Sequence, residues 1–196
     1  MLISQSKLKN TSSITKVLRL LLLTLPLWLG AGGGSLLTSC HSSRHGTKGG
    51  VSEEMRQLVR AGILLGFDIE EDDPHALYLE SASWLGTPYR FGGMTRSGTD
   101  CSGLTCSIYR NVYGIKLQRN SKKQYEKDCH HVNRKHLQPG DLVFFGSGGR
   151  ASNISHTGVY LKRDLFIHAS SSRGVMVSSL DDRYWKQRWV GGGRVR

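Results

Sequence analysis

The order of apolar segments along the chain predicts an α+β domain, in which a helical layer packs on an antiparallel β-sheet. Segments with helical spacing of apolar residues come first, between residues 52 and 112. Short apolar or alternating segments bounded by Gly, Ser or Asp follow, from 141 to 195. With 196 residues, of which 38% are hydrophobic, the chain is long enough to close one core. A single domain is therefore expected.

Three helices are predicted in the first part of the chain. The first covers residues 52–65 and begins with two glutamates, which suit the positive N-terminal end of a helix. Pro74 is well placed as the first residue of the second helix, which continues to Trp84. Asp100 is the predicted N-cap of the third helix, which continues to Val112 because its apolar residues share one helical face.

The second half is predicted to form a short helix and five strands. Asn120 or Ser121 can cap the helix, which ends at Tyr125. The strands are predicted at Asp141 to Phe145, Thr157 to Leu161, Leu165 to Ala169, Gly174 to Ser178 and Val190 to Val195. Because short segments with turn residues separate these strands, antiparallel pairing is expected.

The formal net charge of +12 is concentrated in the C-terminal part of the chain. Residues 86–196 carry nineteen basic and seven acidic side chains, whereas residues 40–85 carry four and eight. Such a surface favours anionic partners, which include nucleic acid, acidic polymers and anionic lipid. The sequence carries no helix-turn-helix, zinc-finger or RNA-recognition signature, so a nucleic-acid partner is not expected.

The first 40 residues have the layout of a secretory signal. Four basic side chains precede the apolar segment from Leu20 to Leu29, and small residues then lead to Cys40. The end of this signal, Leu37-Thr38-Ser39-Cys40, resembles the bacterial lipobox, which implies cleavage before Cys40 and lipidation of its thiol. The alternative is a retained membrane span from Leu20 to Ser39. Pro26 and three consecutive glycines weaken that alternative.

This interpretation of the N-terminus predicts the compartment. The chain is expected in the bacterial cell envelope, lipid-anchored through Cys40 to a membrane facing the periplasm. The outer membrane is favoured over the inner one. The short stretch from 41 to 50, rich in Ser, Gly, His and Arg, is expected to be a flexible tether.

Three further cysteines, Cys101, Cys106 and Cys129, follow the predicted lipid site. In an oxidising compartment an odd number cannot pair completely, so at least one thiol is free. Cys106 is expected to be a small buried residue, and Cys129 is expected at the surface or in a turn. Cys101 directly follows Asp100, where unpaired backbone amides and the helix dipole lower the pKa of a thiol. Cys101 is therefore a candidate nucleophile, the alternative being a structural cysteine at a helix start.

Two of the eight histidines, His156 and His168, lie near the ends of adjacent predicted strands. If the connecting hairpin turns about Lys162, the two imidazoles oppose each other on one face, with Cβ atoms about 5 Å apart. A shift of the turn by one residue would make them diagonal neighbours, still within reach. Together with Cys101 they supply a nucleophile, a base and a group that orients the base. The spacing does not decide which histidine is the base.

Two other interpretations of these three residues stay open. The histidines can be unrelated strand residues that share no site. A Cys-His-His set can also bind Zn²⁺, although the paired ligand spacing of a zinc site is missing. A thiol hydrolase needs no metal, so no cofactor is expected.

Seven short motifs in this part of the chain resemble those of the NlpC/P60 peptidases. They are Pro88-Tyr89, Gly92-Gly93, Asp100-Cys101-Ser102-Gly103, Arg119-x-Ser121-x-x-Gln124, Pro139-Gly140-Asp141-Leu142, Ser155-His156-Thr157-Gly158-Val159-Tyr160 and Ile167-His168-Ala169. The resemblance spans about residues 76 to 195 and is greatest to single-domain lipoprotein murein endopeptidases. It implies a papain-like α+β fold and cleavage of the peptide stems of peptidoglycan.

The resemblance also implies roles for individual residues. Cys101 would be the nucleophile, His156 its base and His168 the third, orienting residue. The hydroxyl of Tyr89 would hold the oxyanion together with the backbone amide of Cys101.

The residues beside the nucleophile are less clearly assigned. Asp100 and Ser102 flank it and are candidate substrate-binding residues, although N-capping explains Asp100 equally well. The group of Arg119, Ser121 and Gln124 is expected to hold the loop and the helix in place. The resemblance includes no wall-binding domain, and residues 51–75 are too few to form one.

The expected organisation is a signal peptide at 1–39, a tether at 40–50, a helical extension at 51–75 and a catalytic domain at 76–196. The expected partners are peptidoglycan stems and a membrane, and a monomer is expected. Two other functions stay open: a non-catalytic peptidoglycan-binding lipoprotein with the same fold, and an acyltransferase or amidase with the same Cys-His site. Whether the bond cleaved lies within a stem or in a cross-link is also left open.

Overall fold

The computed structural model describes residues 52–196. The predicted signal peptide, the lipid site at Cys40 and the tether lie outside the described residues. The α-helices are α1 (Glu53–Leu65), α2 (His75–Trp84), α3 (Cys101–Tyr113), α4 (Ser121–Lys123), which continues as a π-helix (Gln124–Asp128), and α5 (Arg183–Lys186). The strands are β1 (Met94–Thr95), β2 (Gly98–Thr99), β3 (Cys129–Val132), β4 (Leu142–Gly146), β5 (Ile154–Tyr160), β6 (Leu165–Ser170), β7 (Gly174–Ser179) and β8 (Trp189–Val195). Within residues 52–196, no helix combines the length and the hydropathy needed to cross a bilayer.

Six of the strands form one antiparallel sheet in the order β3-β8-β4-β5-β6-β7. One face packs against the helices around buried side chains that include Leu104, Ile108 and Phe144. The other face carries a smaller buried cluster that includes Phe145 and Phe166. Because successive residues of a strand point to opposite faces, both sides of β4 are buried. This is the α+β architecture that the sequence predicts.

Helix α3 begins at the residue that the sequence predicts. The backbone of Asp100 is extended, and its carboxylate accepts a hydrogen bond from the N–H of Gly103 at 2.8 Å. A Cβ at Gly103 would collide with the carbonyl oxygen of Gly93, so glycine lets the preceding loop lie against the first turn. The helix ends at Gly114, whose φ of 69° is left-handed.

The prediction for Cys129 is wrong. This residue begins β3, where it pairs with Val195 of β8, and it is 1% exposed. The strand escapes prediction because its middle residues, His130 and His131, are polar and exposed. Burial of Cys129 therefore depends on pairing with the distant C-terminal strand, which local composition does not show.

The hairpin between β5 and β6 turns one residue later than the predicted centre. Val159 pairs with Ile167, which places the centre at Arg163 instead of Lys162. The expectation that the two candidate histidines stand directly opposite each other is therefore wrong. They are diagonal neighbours, which is the second of the two predicted arrangements.

The turn itself explains this shift. Arg163 and Asp164 have φ values of 52° and 59°, and the N–H of Leu165 donates to the carbonyl oxygen of Lys162 at 2.9 Å. Turns with positive φ at both central residues are dominated by Gly, Asn and Asp. Only Asp164 belongs to that set here, and Arg163 at the first central position does not mark the centre of this turn.

Candidate active site

Cys101 is the first residue of α3 and is partly exposed in a cavity of about 810 Å³. The cap formed by Asp100 fixes this position, because it sets where the helix starts. The backbone N–H groups of Thr157, Ser102 and Cys101 lower the pKa of the thiol, so they lie near the sulfur. Since Thr157 directly follows His156 in β5, the thiol lies near the strand that carries the candidate base.

The thiol of Cys101 is not the activated thiolate that its helix position alone predicts. Burial raises its pKa above the ordinary value, and the neighbouring carboxylate of Asp100 raises it further. The N–H groups at the start of α3 and at Thr157 lower the pKa, but by less. The resting site therefore holds a protonated thiol at neutral pH, and a base is needed to remove its proton.

His156 and His168 are hydrogen-bonded to each other. Nε2 of His156 lies 3.1 Å from Nδ1 of His168. This contact leaves Nδ1 as the free ring nitrogen of His156. The residue lines the same cavity as Cys101. His168 is 1% exposed, whereas His156 is partly exposed. The geometry therefore favours His156 as the base and His168 as the residue that orients it.

Burial also sets the protonation of the two imidazoles. It lowers the pKa of His156 to about 4 and that of His168 to about 3. The charges of His156 and Arg173 act in the same direction on His168. Both rings are therefore neutral at pH 7 and carry one N–H each. A neutral His156 can accept a proton, as a general base must.

Aromatic side chains pack against both histidines. Trp185 of α5 stacks on His156 with ring centroids 5.3 Å apart, and it meets His168 edge-on at 4.8 Å. Phe166 stacks on His168 at 5.1 Å. No sequence motif marks Trp185, because it lies in a four-residue helix that approaches the site only through the fold.

Tyr89 lines the cavity together with Cys101. A backbone bridge to Thr99 fixes it, and the N–H of Thr99 donates to the carbonyl oxygen of Pro88 at 3.0 Å. Burial raises the pKa of the Tyr89 hydroxyl, and the nearby Cys101 acts in the same direction. The hydroxyl keeps its proton and can donate a hydrogen bond, as the predicted oxyanion role requires.

Asp100 and Ser102 are buried beside Arg119 and do not line the cavity. The carboxylate of Asp100 accepts hydrogen bonds from Arg119 at 2.7 and 2.8 Å, from the N–H of Gly103 at 2.8 Å and from that of Gly92 at 2.7 Å. The hydroxyl of Ser102 donates to the carbonyl oxygen of Arg119 at 3.0 Å. This network ties the loop to α3. The geometry supports the capping role of Asp100 and not the predicted contact of either residue with substrate.

The second cysteine of α3, Cys106, is buried away from the cavity. Its thiol lies 3.6 Å and 3.5 Å from the carbonyl oxygens of Leu117 and Gln118. The amide of Gln124 donates to its sulfur at 3.5 Å. Cys106 is thus the buried residue that the sequence predicts, and it holds the segment after α3 in place.

The remaining cavity wall is polar and positively charged. Ser171, Ser172 and Arg173 contribute from the turn between β6 and β7, and Arg188 contributes from the turn before β8. Asp182 is the one acidic residue in the described wall, and its carboxylate accepts a hydrogen bond from the N–H of Ser179 at 3.3 Å. Among residues 52–196, no group of three or more His, Cys, Asp or Glu side chains is placed to hold a metal ion.

The segment that carries these residues matches one family over more than half of the chain. Residues 86–194 correspond to the NlpC/P60 family, and they include Cys101, His156 and His168. The chain belongs to the NlpC/P60 family. The α+β fold and the order of Cys before His before His agree with the resemblance found in the sequence.

The regions that align with this chain cover different shares of the individual NlpC/P60 relatives. Probable endopeptidase NlpC of Escherichia coli (strain K12) is 44% identical over 113 residues, which are 58% of this chain and 72% of the relative. Murein DD-endopeptidase MepS/Murein LD-carboxypeptidase of the same organism is 42% identical over 114 residues, which are 58% of each chain. The crystal structure of an NlpC/P60 family protein from Bacillus cereus ATCC 10987 gives a TM-score of 0.58 at 31% identity. That similarity covers 65% of this chain and 42% of the Bacillus protein.

Proposed function

We propose that this NlpC/P60 protein is a peptidoglycan endopeptidase, which cleaves peptide stems or cross-links of the bacterial cell wall by thiol hydrolysis. The observation that carries the proposal is one cavity holding the Cys101 thiol and a neutral His156 that is hydrogen-bonded through Nε2 to His168. Two relatives above 40% identity are named as endopeptidases, one of them a murein DD-endopeptidase. Both the geometry and the relatives support the same chemistry.

The first step forms a thioester. Sγ of Cys101 attacks the carbonyl carbon of the scissile amide while Nδ1 of His156 accepts the thiol proton. The resulting oxyanion accepts hydrogen bonds from the backbone N–H of Cys101 and the hydroxyl of Tyr89. The backbone N–H is available because the first amides of a helix have no carbonyl partner within it. Collapse expels the amine, which takes the proton from His156.

The second step releases the product. Water attacks the thioester carbonyl carbon while His156 accepts a proton from the water. The same two donors stabilise the second oxyanion. Its collapse breaks the C–S bond, frees the carboxylic product and returns the proton to the sulfur of Cys101. The protonated resting thiol and the neutral resting imidazole are thus restored.

The charge of the cavity supports an acidic peptide as substrate. Arg173 and Arg188 both line the cavity. The carboxylate of Asp182, the acidic residue of the described wall, accepts a hydrogen bond from the backbone N–H of Ser179. Peptide stems of the wall carry free carboxylates, which such a wall attracts. The positive charge of residues 86–196 acts in the same direction over a longer range.

Digestion of purified wall fragments tests the function. The purified protein is incubated with separate samples of uncross-linked stems and cross-linked dimers, and the products are identified by mass spectrometry. Cleavage within the stem or at the cross-link supports the proposal and identifies the bond. Binding without cleavage would favour the non-catalytic peptidoglycan-binding lipoprotein, and transfer of the acyl group to another amine would favour the acyltransferase.

We also infer that Cys40 carries the lipid that holds the protein at the membrane. The lipobox resemblance supports this inference, since each buried CH₂ of an acyl chain contributes about 0.8 kcal/mol. Cys40→Ser should move the protein from the membrane fraction to the soluble envelope fraction, as followed by immunoblotting. Hydrolysis of soluble wall fragments should be unchanged, whereas cleavage of intact wall in cells should decrease because the local concentration falls.

A retained membrane span makes the opposite prediction for this variant. Cys40→Ser would then stay with the membrane at its full length, with residues 20–39 uncleaved. That result would exclude the lipid anchor without affecting the proposed chemistry. Mass spectrometry of the mature N-terminus distinguishes the two outcomes, because only the lipoprotein begins at residue 40.

A further inference from the structure

The histidine pair continues to a third buried side chain, Ser178. Nε2 of His168 lies 2.9 Å from Oγ of Ser178, and the two residues are 1% and 8% exposed. In the pairing of β6 with β7, His168 stands opposite Met176, so Ser178 is its diagonal neighbour on the same face. A continuous line of contacts therefore runs from His156 at the cavity through His168 to β7.

The N–H protons of two neutral imidazoles in contact can be arranged in two ways, and each arrangement is a proton order of the pair. Each imidazole carries one N–H, so the contact between His156 and His168 has one donor and one acceptor. If Nδ1 of His168 donates, His156 holds its own proton on Nδ1 and cannot accept one from Cys101. If Nε2 of His156 donates, Nδ1 of His156 is bare, and His168 must carry its proton on Nε2.

The second proton order is the productive one for catalysis, because it leaves Nδ1 of His156 free to accept a proton. It places an N–H at Nε2 of His168. We propose that Ser178 is the positioning residue that makes this order stable, because its Oγ accepts the hydrogen bond from that N–H. Ser178 borders the cavity, so its own hydroxyl proton can be donated to solvent there. The effect on catalytic rate rests on the proposed function, whereas the proton order is a property of the resting protein.

The physical reason is the burial of His168. Without an acceptor at position 178, the productive order would leave a buried N–H with no partner, which is costly. The opposite order places no proton on Nε2 of His168, so it needs a donor and not an acceptor at position 178. The productive order leaves Nδ1 of His156 without a proton, so that it can accept the thiol proton of Cys101, which lines the same cavity.

NMR of the imidazole nitrogens measures the proton order directly. In the ¹⁵N-labelled purified protein at pH 7, Nε2 of both histidines should have chemical shifts typical of a protonated nitrogen. Nδ1 of both should have the shifts of an unprotonated nitrogen. A protonated Nδ1 in His168 of the wild-type protein would overturn the proposal, and this holds whether or not the protein cleaves wall peptides.

Substitutions at position 178 add a kinetic measurement. Ser178→Ala should lower kcat about threefold to tenfold, the effect of one lost hydrogen bond, while KM stays unchanged. Ser178→Thr keeps the hydroxyl and should keep most of the rate. Ser179→Ala is the matched control, because its hydroxyl accepts a hydrogen bond from the backbone N–H of Asp181 at 3.0 Å and does not line the described cavity. It should leave kcat unchanged.

The outcomes separate this role from a structural one and from the proposed function. A folded Ser178→Ala protein with wild-type kcat and wild-type proton order would overturn the proposal. Equal losses in Ser178→Ala and Ser179→Ala would also overturn it, since they would show a general effect on β7. If wild type does not hydrolyse wall fragments, the endopeptidase proposal fails, and the nitrogen shifts still decide the role of Ser178.

Discussion

Cys101→Ala is expected to abolish hydrolysis of wall fragments while the protein stays folded. The thiol is the atom that forms the thioester, and no other side chain in the described cavity offers a comparable nucleophile beside His156. The loss should reach at least about 10⁴-fold in kcat/KM, as is usual when a covalent nucleophile is removed. The fold should survive because the side chain is small and the cap at Asp100 does not involve it.

Cys106→Ala is the matched control for this variant. It replaces a cysteine of the same helix whose thiol contacts the carbonyl oxygens of Leu117 and Gln118 outside the cavity. Activity should be nearly unchanged, with some loss of thermal stability from the vacated contacts. Circular dichroism of both variants checks folding. Loss of turnover in Cys106→Ala with retention in Cys101→Ala would show that the nucleophile is assigned to the wrong residue.

The start of α3 was predictable because its signals are local. Asp100 combines with a run of apolar residues at helical spacing, and a capping carboxylate satisfies backbone N–H groups within three residues. The position of Cys101 in the first turn follows directly. The pKa of its thiol did not follow, since burial depends on what the rest of the chain packs around the helix.

The histidine pair was predictable to within one register step. Because their separation is even, His156 and His168 share one face whenever the hairpin turn is centred on a residue, as it is here. The turn centre could not be fixed, because Arg163 has positive φ without being one of the residues, Gly, Asn or Asp, that usually mark such a turn. The hydrogen bond forms in the diagonal arrangement as well, since imidazoles are long enough to span it.

Features that depend on distant strands and turns were not predictable. Trp185 covers the histidine pair and Ser178 contacts it, yet neither belongs to a recognisable motif with those histidines. Strand β3 was missed for the same reason, since its pairing partner is the C-terminal strand β8. Such contacts are set by the order of the strands in the sheet, which local sequence patterns do not show.

His156→Ala should lower kcat/KM by about 10²–10⁴-fold, which is the usual contribution of a general base. His168→Asn and His168→Gln should keep part of the activity, because an amide oxygen can still accept the hydrogen bond from Nε2 of His156. The order of severity is the test, and it is measured with the same soluble wall fragment for all three variants. A greater loss at position 168 than at 156 would reverse the two roles.

The pH dependence of kcat/KM gives an independent measure of the same assignment. Burial lowers the pKa of His156 to about 4, so the base stays neutral, and activity is retained, as the pH falls from 7 towards 5. Activity should fall as the pH passes through about 4, where His156 becomes protonated and can no longer accept the thiol proton. A peptide substrate without carboxyl groups keeps the titration of the substrate out of the profile. An acid limb near the ordinary histidine pKa of about 6.5 would mean that the base is a solvated group and not His156 with the lowered pKa of this site.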